Sequence, residues 1–537
     1  MLSSGLHHVL ALVMLNTCVR ALVVTIPAQA PSGASTIAPD HVSLSIEQDR
    51  WTDWIGSTSR NEFFYNSLDN LVSLTGVPPR IRLGGQTADA ANPSNSPSVE
   101  FSNSFYDNTT VSSNQPYPAA FGMSVGSKFY PTVRFLPKNT RVVTGINYGA
   151  NDDLRASVHI SEIVKAFQSP EVVAQGVTLE AIELGHEPDR YGKDNYFKSW
   201  DIHWSDTSAK YLVEWTNWVK NIIEVLRSGW LGLPYDPPFW TASISASGPR
   251  TESWTGKYLV NNGLLPGNIA ANIKTFSQHH YSGTACKGNA KDLQTLMTKS
   301  RIREGLKAFE SDIRAAKSKG IDYVLGEANS FSCHGAAGVS NVAGSAIWAL
   351  DYLLYASQLG ISRVYFHQGV GYKFNFIQPT ALSRSPLDNS AMSPPHQPYV
   401  QPSYYAAIIA AEAIGTSGNT RVVELSTSDE SVSGYAFYEG DTLVKALFIN
   451  SKAHLRSDDA RSQVSINLEL DAPVSGLVTL KRLFIPHAEA SGGLTWGGLS
   501  YETPDARATG VSRVESINPA DGFYLRATEV ALVSFGN

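Results

Sequence analysis

The chain has 537 residues, 42% of them hydrophobic and 17% charged, with a formal net charge of -6. That length exceeds one ordinary domain and suits a large barrel followed by a second module. A mildly acidic chain with no basic run or Arg-rich face excludes a nucleic-acid partner as the working expectation.

Residues 1–21 have the outline of a secretory signal. An apolar run from Val9 to Leu15 leads into "NTCVRA", with Val19 and Ala21 at the two small-residue positions of a cleavage site. The segment before the run holds His7 and His8 but no Lys or Arg. No later segment reaches about 20 uninterrupted apolar residues, so the mature protein is expected to be soluble, extracellular and without a membrane partner. Cleavage after Ala21 removes Cys18 and leaves Cys286 and Cys333, an even pair that favours one disulfide in an oxidising compartment. The strand-like "ALVVTIP" opens residues 22–40 and is expected to cross over and join a C-terminal β-module.

Over residues 41–416 short β-rich runs alternate with amphipathic helices. The strand candidates are "VSLSI", "RIRLGG" (80–85), "VVTGIN" (142–147), "EAIELG" (180–185), "FWTASIS" (239–245), "TFSQHHY" (275–281), "YVLGEA" (323–328) and "RVYFHQG" (363–369). Helices are expected over 209–228, over 303–320 and over 341–360, the last two closing on Gly320 and Gly360. Eight strands alternating with helices predict an α/β fold of the (β/α)8, or TIM-barrel, kind; an open doubly wound sheet lacks the Gly-rich phosphate fingerprint it would need. Between the second and third strands, Asn108-Thr109-Thr110 is a glycosylation sequon in a polar stretch from Asn92 to Pro118.

Beyond "QPSYYAAIIAAEAIG" (401–415) the pattern is β only, and residues 417–537 are expected to form a β-sandwich. The pair Gly440-Asp441 between alternating runs marks a hairpin.

In such a barrel, chemistry sits where strands end at their C-terminal side. Strand four ends in His186-Glu187-Pro188 and strand seven in Gly326-Glu327-Ala328-Asn329. Strand six ends in His279-His280-Tyr281. Two carboxylates facing each other across a barrel mouth are the minimum equipment for glycoside hydrolysis: one protonated to donate to the leaving oxygen, one ionised to attack the anomeric carbon. Pro188 should keep Glu187 out of the helical region and hold it extended at the strand end. No metal spacing such as His-Glu-x-x-His occurs, and neither cofactor nor metal is expected.

The chain resembles glycoside hydrolase family 79, the β-glucuronidase and heparanase family, within the clan of retaining (β/α)8 glycosidases. The resemblance is carried by "GHEPD", "HHY", "GEANS", "GVSNVAGSAIWALDYL", "FHQGVGYKFN" and "QPSYYAAIIAAEAIG". It implies Glu187 as general acid/base, Glu327 as nucleophile and Tyr281 as the nucleophile's hydrogen-bond donor, with Gln86 and Asn147 on sugar-contacting loops. His186 departs from the clan's Asn, which binds the substrate 2-hydroxyl. The loop after strand seven, "SFSCHGAAG", departs from the family's carboxylate-binding loop, while Tyr372 after strand eight is kept. His334, as a cationic donor, the Gly335 amide and Tyr372 are therefore the expected uronate contacts. The implied activity is a secreted retaining exo-β-glucuronidase acting on a glucuronide-bearing glycan or glycoside, with 4-O-methyl-glucuronide among its substrates. The alternatives are a β-xylosidase or β-glucosidase on the same site, and a carbohydrate-binding pseudoenzyme.

Overall fold

A computed structural model describes residues 20–191, 208–227, 238–245, 253–265, 270–286, 290–472 and 476–536. Most of the expected signal segment, Cys18 included, lies outside these residues.

Eight parallel strands close into a barrel. They run Val42–Glu47, Ile81–Gly84, Arg141–Ile146, Thr178–Leu184, Phe239–Ile244, Ile273–Thr284, Asp322–Ser332 and Val364–Gln368. Each pairs with its neighbour in chain order, and the eighth returns to the first, Val364 opposite Val42 and Gln368 opposite Ile46. The strands are largely buried on both faces because helices cover the outside and side chains fill the inside, and the inside includes polar groups such as Ser43, Ser45 and Arg82. Trp240 and Tyr365 meet edge to face in the barrel interior, in one small cluster with Val143, Ala181 and Val324.

The helix expected over 303–320 is two helices, Lys299–Lys307 and Glu310–Ser318. The break at Ala308-Phe309 lets Phe309 turn inward against the His280 ring, edge to face at 5.2 Å between centroids. The second helix then packs on the helix Gly256–Asn261, where Asp312 accepts the Lys257 N–H. Burial of one aromatic outweighs the continuous helical pattern. Helices Ala343–Gln358 and Tyr404–Ile414 are apolar on nearly every face, since both are enclosed between the barrel and the C-terminal sheets.

The C-terminal region is β-rich. A ten-stranded sheet includes Thr420–Leu425, Val432–Glu439, Thr442–Asn450, Val478–Phe484 and Glu529–Ser534. The turn between the second and third of these is at Gly440-Asp441, with Gly440 at φ 61. A second, three-stranded sheet is built from Arg20–Ile26, Gln463–Leu470 and Phe523–Arg526. The N-terminal strand lies parallel to Gln463–Leu470, and its Leu22, Val24 and Ile26 enter the core between the sheets with Phe448, Ile466, Leu480 and Leu525. A cut after Ala21 would take two ladder positions and leave all three inward-facing residues. Among the described residues, no helix is long and apolar enough to cross a membrane.

Candidate active site

Glu187 and Glu327 come together at the C-terminal mouth of the barrel. They line a cavity of about 170 Å³ with Glu47, Gln86, His186, Tyr281, His334, His367, Tyr372 and the Cys286–Cys333 pair. One carboxylate oxygen of each Glu belongs to a group of atoms, with one nitrogen each from His186 and His279, that all lie within 4.8 Å of one another. Such a group is compact enough for a metal ion, but the Arg82 guanidinium already supplies its positive charge, bonding Glu327 at 2.8 Å and lying 3.2 Å from His186 Nδ1.

Glu327 is held as an anion. Tyr281 donates its hydroxyl to Oε1 at 2.7 Å, and Arg82 donates Nη1 to Oε2 at 2.8 Å. Burial alone would push the carboxyl up, but the cations around it, His367 and Arg82 among them, hold it well below the usual carboxylate range. His367 lies 3.6 Å from Glu327 and 3.1 Å from Glu47, and these two anions raise it against the effect of burial. Arg82 is itself fixed by two bonds to Glu183, of 2.6 and 3.0 Å.

Glu187 is the opposite case. Burial raises its pKa, and the nearby Glu327 adds to the rise. His279 Nδ1 sits 3.0 Å from Oε1 and Arg190 3.7 Å from Oε2. Burial holds His186 and His279 near pKa 4, so both rings are neutral at ordinary pH. Two carboxyls a short distance apart thus have environments that push their pKa values in opposite directions, the signature of an acid and a nucleophile.

The backbone at Glu187 is not extended as Pro188 suggested. It is left-handed, φ 47 and ψ 56, and opens a 3-10 turn over Pro188–Arg190. The Glu187 N–H reaches across to the Ser243 carbonyl at 3.0 Å, and its carbonyl accepts from Arg190. Avoiding the right-handed region leaves either option open, and this tertiary bond selects the left-handed one. Asp89 ties the surrounding loops together: its carboxylate accepts from the N–H groups of Tyr148, Gly149 and His186 and from the Tyr191 hydroxyl. Gly185, at φ 84, has no room for a Cβ, which would meet the Tyr148 ring and the Tyr191 hydroxyl at 2.8 Å.

Other expected contacts are placed differently. Asn147 does not reach the cavity; its Oδ1 caps a loop by accepting the Ala150 N–H at 2.9 Å. The Gly335 amide is spent on the Phe331 carbonyl at 3.1 Å and has no N–H left for a substrate. His334 stacks on Tyr372, 3.7 Å between ring centroids and 12° from parallel. Burial, with the Lys373 charge nearby, lowers it to about 3, so it is a neutral imidazole and not a cationic donor. Cys286 and Cys333 form a disulfide, Cα to Cα 5.1 Å. Asn108 is exposed at the start of a short turn. The sequence reading had no role for Arg82, Glu47 or His367. An Arg inside the strand "RIRLGG", a Glu closing "VSLSIE" and a His in "VYFHQ" are the signals that could have found them, since a barrel lumen rarely buries a charge without a partner.

Residues 434–532 match the glycosyl hydrolase family 79 C-terminal beta domain. The chain is 28% identical over 480 residues to a β-glucuronidase of Aspergillus niger, covering 86% of this chain and 82% of that one. It is 26% identical over 523 residues to a β-glucuronidase of Neurospora crassa, covering 90% and 88%. Among solved structures, a 4-O-α-L-rhamnosyl-β-D-glucuronidase from Fusarium oxysporum superposes with a TM-score of 0.76 at 22% identity, over 96% of this chain and 100% of that one. A family 51 arabinofuranosidase from Xanthomonas axonopodis shares the fold at a TM-score of 0.61 and 12% identity, over 96% and 100%.

Proposed function

We propose that this chain, a glycoside hydrolase whose C-terminal region matches family 79, is a secreted exo-β-glucuronidase that works by retaining double displacement. Glu187 donates its proton to the glycosidic oxygen as the bond to the anomeric carbon breaks. Glu327 attacks that carbon and forms a covalent glycosyl-enzyme. Glu187, now a carboxylate, takes a proton from water, which attacks the same carbon and releases Glu327. The observation that carries this reading is that one oxygen of each carboxylate lies within 4.8 Å of the other, which suits the roughly 5–5.5 Å separation of retaining enzymes better than the roughly 6.5–9.5 Å that an inverting enzyme keeps for its water. The opposed pKa directions and the Tyr281 bond to the nucleophile support it. The names of the two fungal relatives favour a glucuronide as substrate. Secretion is supported by the apolar run at Val9–Leu15, the disulfide and the exposed sequon at Asn108.

The second reading, a neutral-sugar β-glycosidase on the same site, is favoured by two observations: His334 is neutral and the Gly335 amide is engaged. A panel of aryl β-glucuronide, β-glucoside and β-xyloside separates the two. The glucuronide is expected to have the highest kcat/KM, and NMR of the first-formed product should show the β anomer. A best rate on a neutral sugar refutes the glucuronide assignment, and an α product refutes retention.

A further inference from the structure

Lys373 lies between two residues that line the catalytic cavity, Tyr372 and Phe374. It is itself 3% exposed. Its N–H bonds the carbonyl of His334 at 2.8 Å, and its Nζ donates to the carbonyl of Asn114 at 2.7 Å, next to the cavity-lining Gln115. Its Cβ packs against Gly335. The ammonium is thus one layer behind a wall made of His334, Tyr372, Phe374 and Gln115. Among the described residues, no carboxylate lies within ion-pair distance of it. A buried cation held by a single carbonyl is costly unless an anion compensates it.

We propose that Lys373 is the counter-charge for the carboxylate of the substrate, acting through the His334–Tyr372 wall and so selecting anionic over neutral sugars. This rests on the glucuronidase reading and supplies what it lacks, a positive charge at a pocket whose His334 is neutral. Burial lowers Lys373 to about 8, so the charge is present at neutral and acidic pH, and it already acts on His334. Its role is specificity and not catalysis, since it touches neither Glu187 nor Glu327.

The test compares wild type with Lys373→Met, Lys373→Gln and Lys373→Arg on an aryl β-glucuronide and the matching aryl β-glucuronamide. The amide keeps the shape and removes the charge. At an effective dielectric of about 20, a unit charge acting across one layer of side chains is worth roughly a factor of ten in binding. Lys373→Met should raise KM for the glucuronide by roughly tenfold with a smaller change in kcat, and should lower the preference for acid over amide by the same factor. Lys373→Arg should restore that preference. Lys373→Gln keeps a donor for the Asn114 carbonyl and should lose the preference as Lys373→Met does, which keeps the test valid if Lys373→Met fails to fold. Equal loss on acid and amide, or full preference in Lys373→Gln, overturns the proposal and leaves Lys373 as a tie for the Asn114 loop. A wild type that cleaves β-glucosides but neither of these substrates overturns the glucuronidase reading instead.

Discussion

Glu187 holds a left-handed backbone at φ 47, a conformation that costs a residue with a Cβ about 1–3 kcal/mol. Its N–H bond to Ser243 and the anchoring of its neighbour His186 by Asp89 hold it there. The strain aims a carboxyl whose pKa burial has raised at Glu327, whose pKa its cations have lowered. Glu187→Gln and Glu327→Gln should each cut kcat by orders of magnitude while leaving the circular dichroism spectrum unchanged. Glu187→Gln should lose least with aryl leaving groups that need little protonation. Azide should rescue Glu187→Gly by attacking the glycosyl-enzyme, and the same variant should melt no lower than the parent, because glycine takes a positive φ without strain. A melting point several degrees lower would contradict the strain. The pH profile follows from the directions. In the proposed mechanism Glu187 must be protonated, so activity should fall as pH rises through its raised pKa. In the same mechanism Glu327 must be ionised, so activity should fall again only well below the usual carboxylate range. The alkaline limb should vanish in Glu187→Gln assayed with an activated leaving group; a limb that persists would assign it elsewhere.

At the scale of elements, strands six and seven carry their ladder past the barrel rim, as far as Thr284 opposite Ser332, and the Cys286–Cys333 bridge closes it. Immediately after, Cys333 and His334 are both left-handed, at φ 63 and 69, which turns the chain back so that His334 lies flat on Tyr372. The bridge spans 47 residues and should contribute about 2–4 kcal/mol, chiefly by restricting the unfolded chain. Cys286→Ser with Cys333→Ser should therefore melt several degrees lower and raise KM more than it lowers kcat, because the loop that loosens forms the pocket wall and not the carboxylate pair. Unchanged KM in the double variant would show that the loop holds itself. The sequence left Cys286 and Cys333 as an even pair, so the bridge was legible. The turn after it was not, because two successive left-handed residues without glycine are set by what they pack against. The helix split at Phe309 has the same origin, its apolar period continuing through the break.

Over the whole molecule, barrel and β region share buried charges. Arg303, on a barrel helix, bonds Asp351 through two nitrogens, and Asp351, fully buried, also accepts from the Tyr435 hydroxyl at 2.6 Å and from Ser433 at 3.1 Å on the ten-stranded sheet. Arg303 reaches the sheet again at Glu424. Removing one partner leaves a buried charge uncompensated, at a cost of about 3–5 kcal/mol. Arg303→Met should lower the melting temperature and separate the unfolding of the two regions in calorimetry, whereas Arg303→Met with Asp351→Leu should recover much of the loss. A single variant as stable as the parent would show that apolar packing alone joins them.

The amino-acid sequence by itself determined the alternation of strands and helices, the change to β after residue 415, and the position of Glu187 and Glu327 at strand ends. These follow from hydrophobic periodicity and turn chemistry, which act over a few residues. Only the tertiary structure decided the charge on each group. Arg82 reaches Glu327 across 245 residues, and His367 reaches Glu47 from the opposite end of the barrel sequence. Whether a carboxyl's pKa is raised or lowered, whether His334 is charged, and whether the Gly335 amide is free depend on burial and on such distant partners, which no local pattern records.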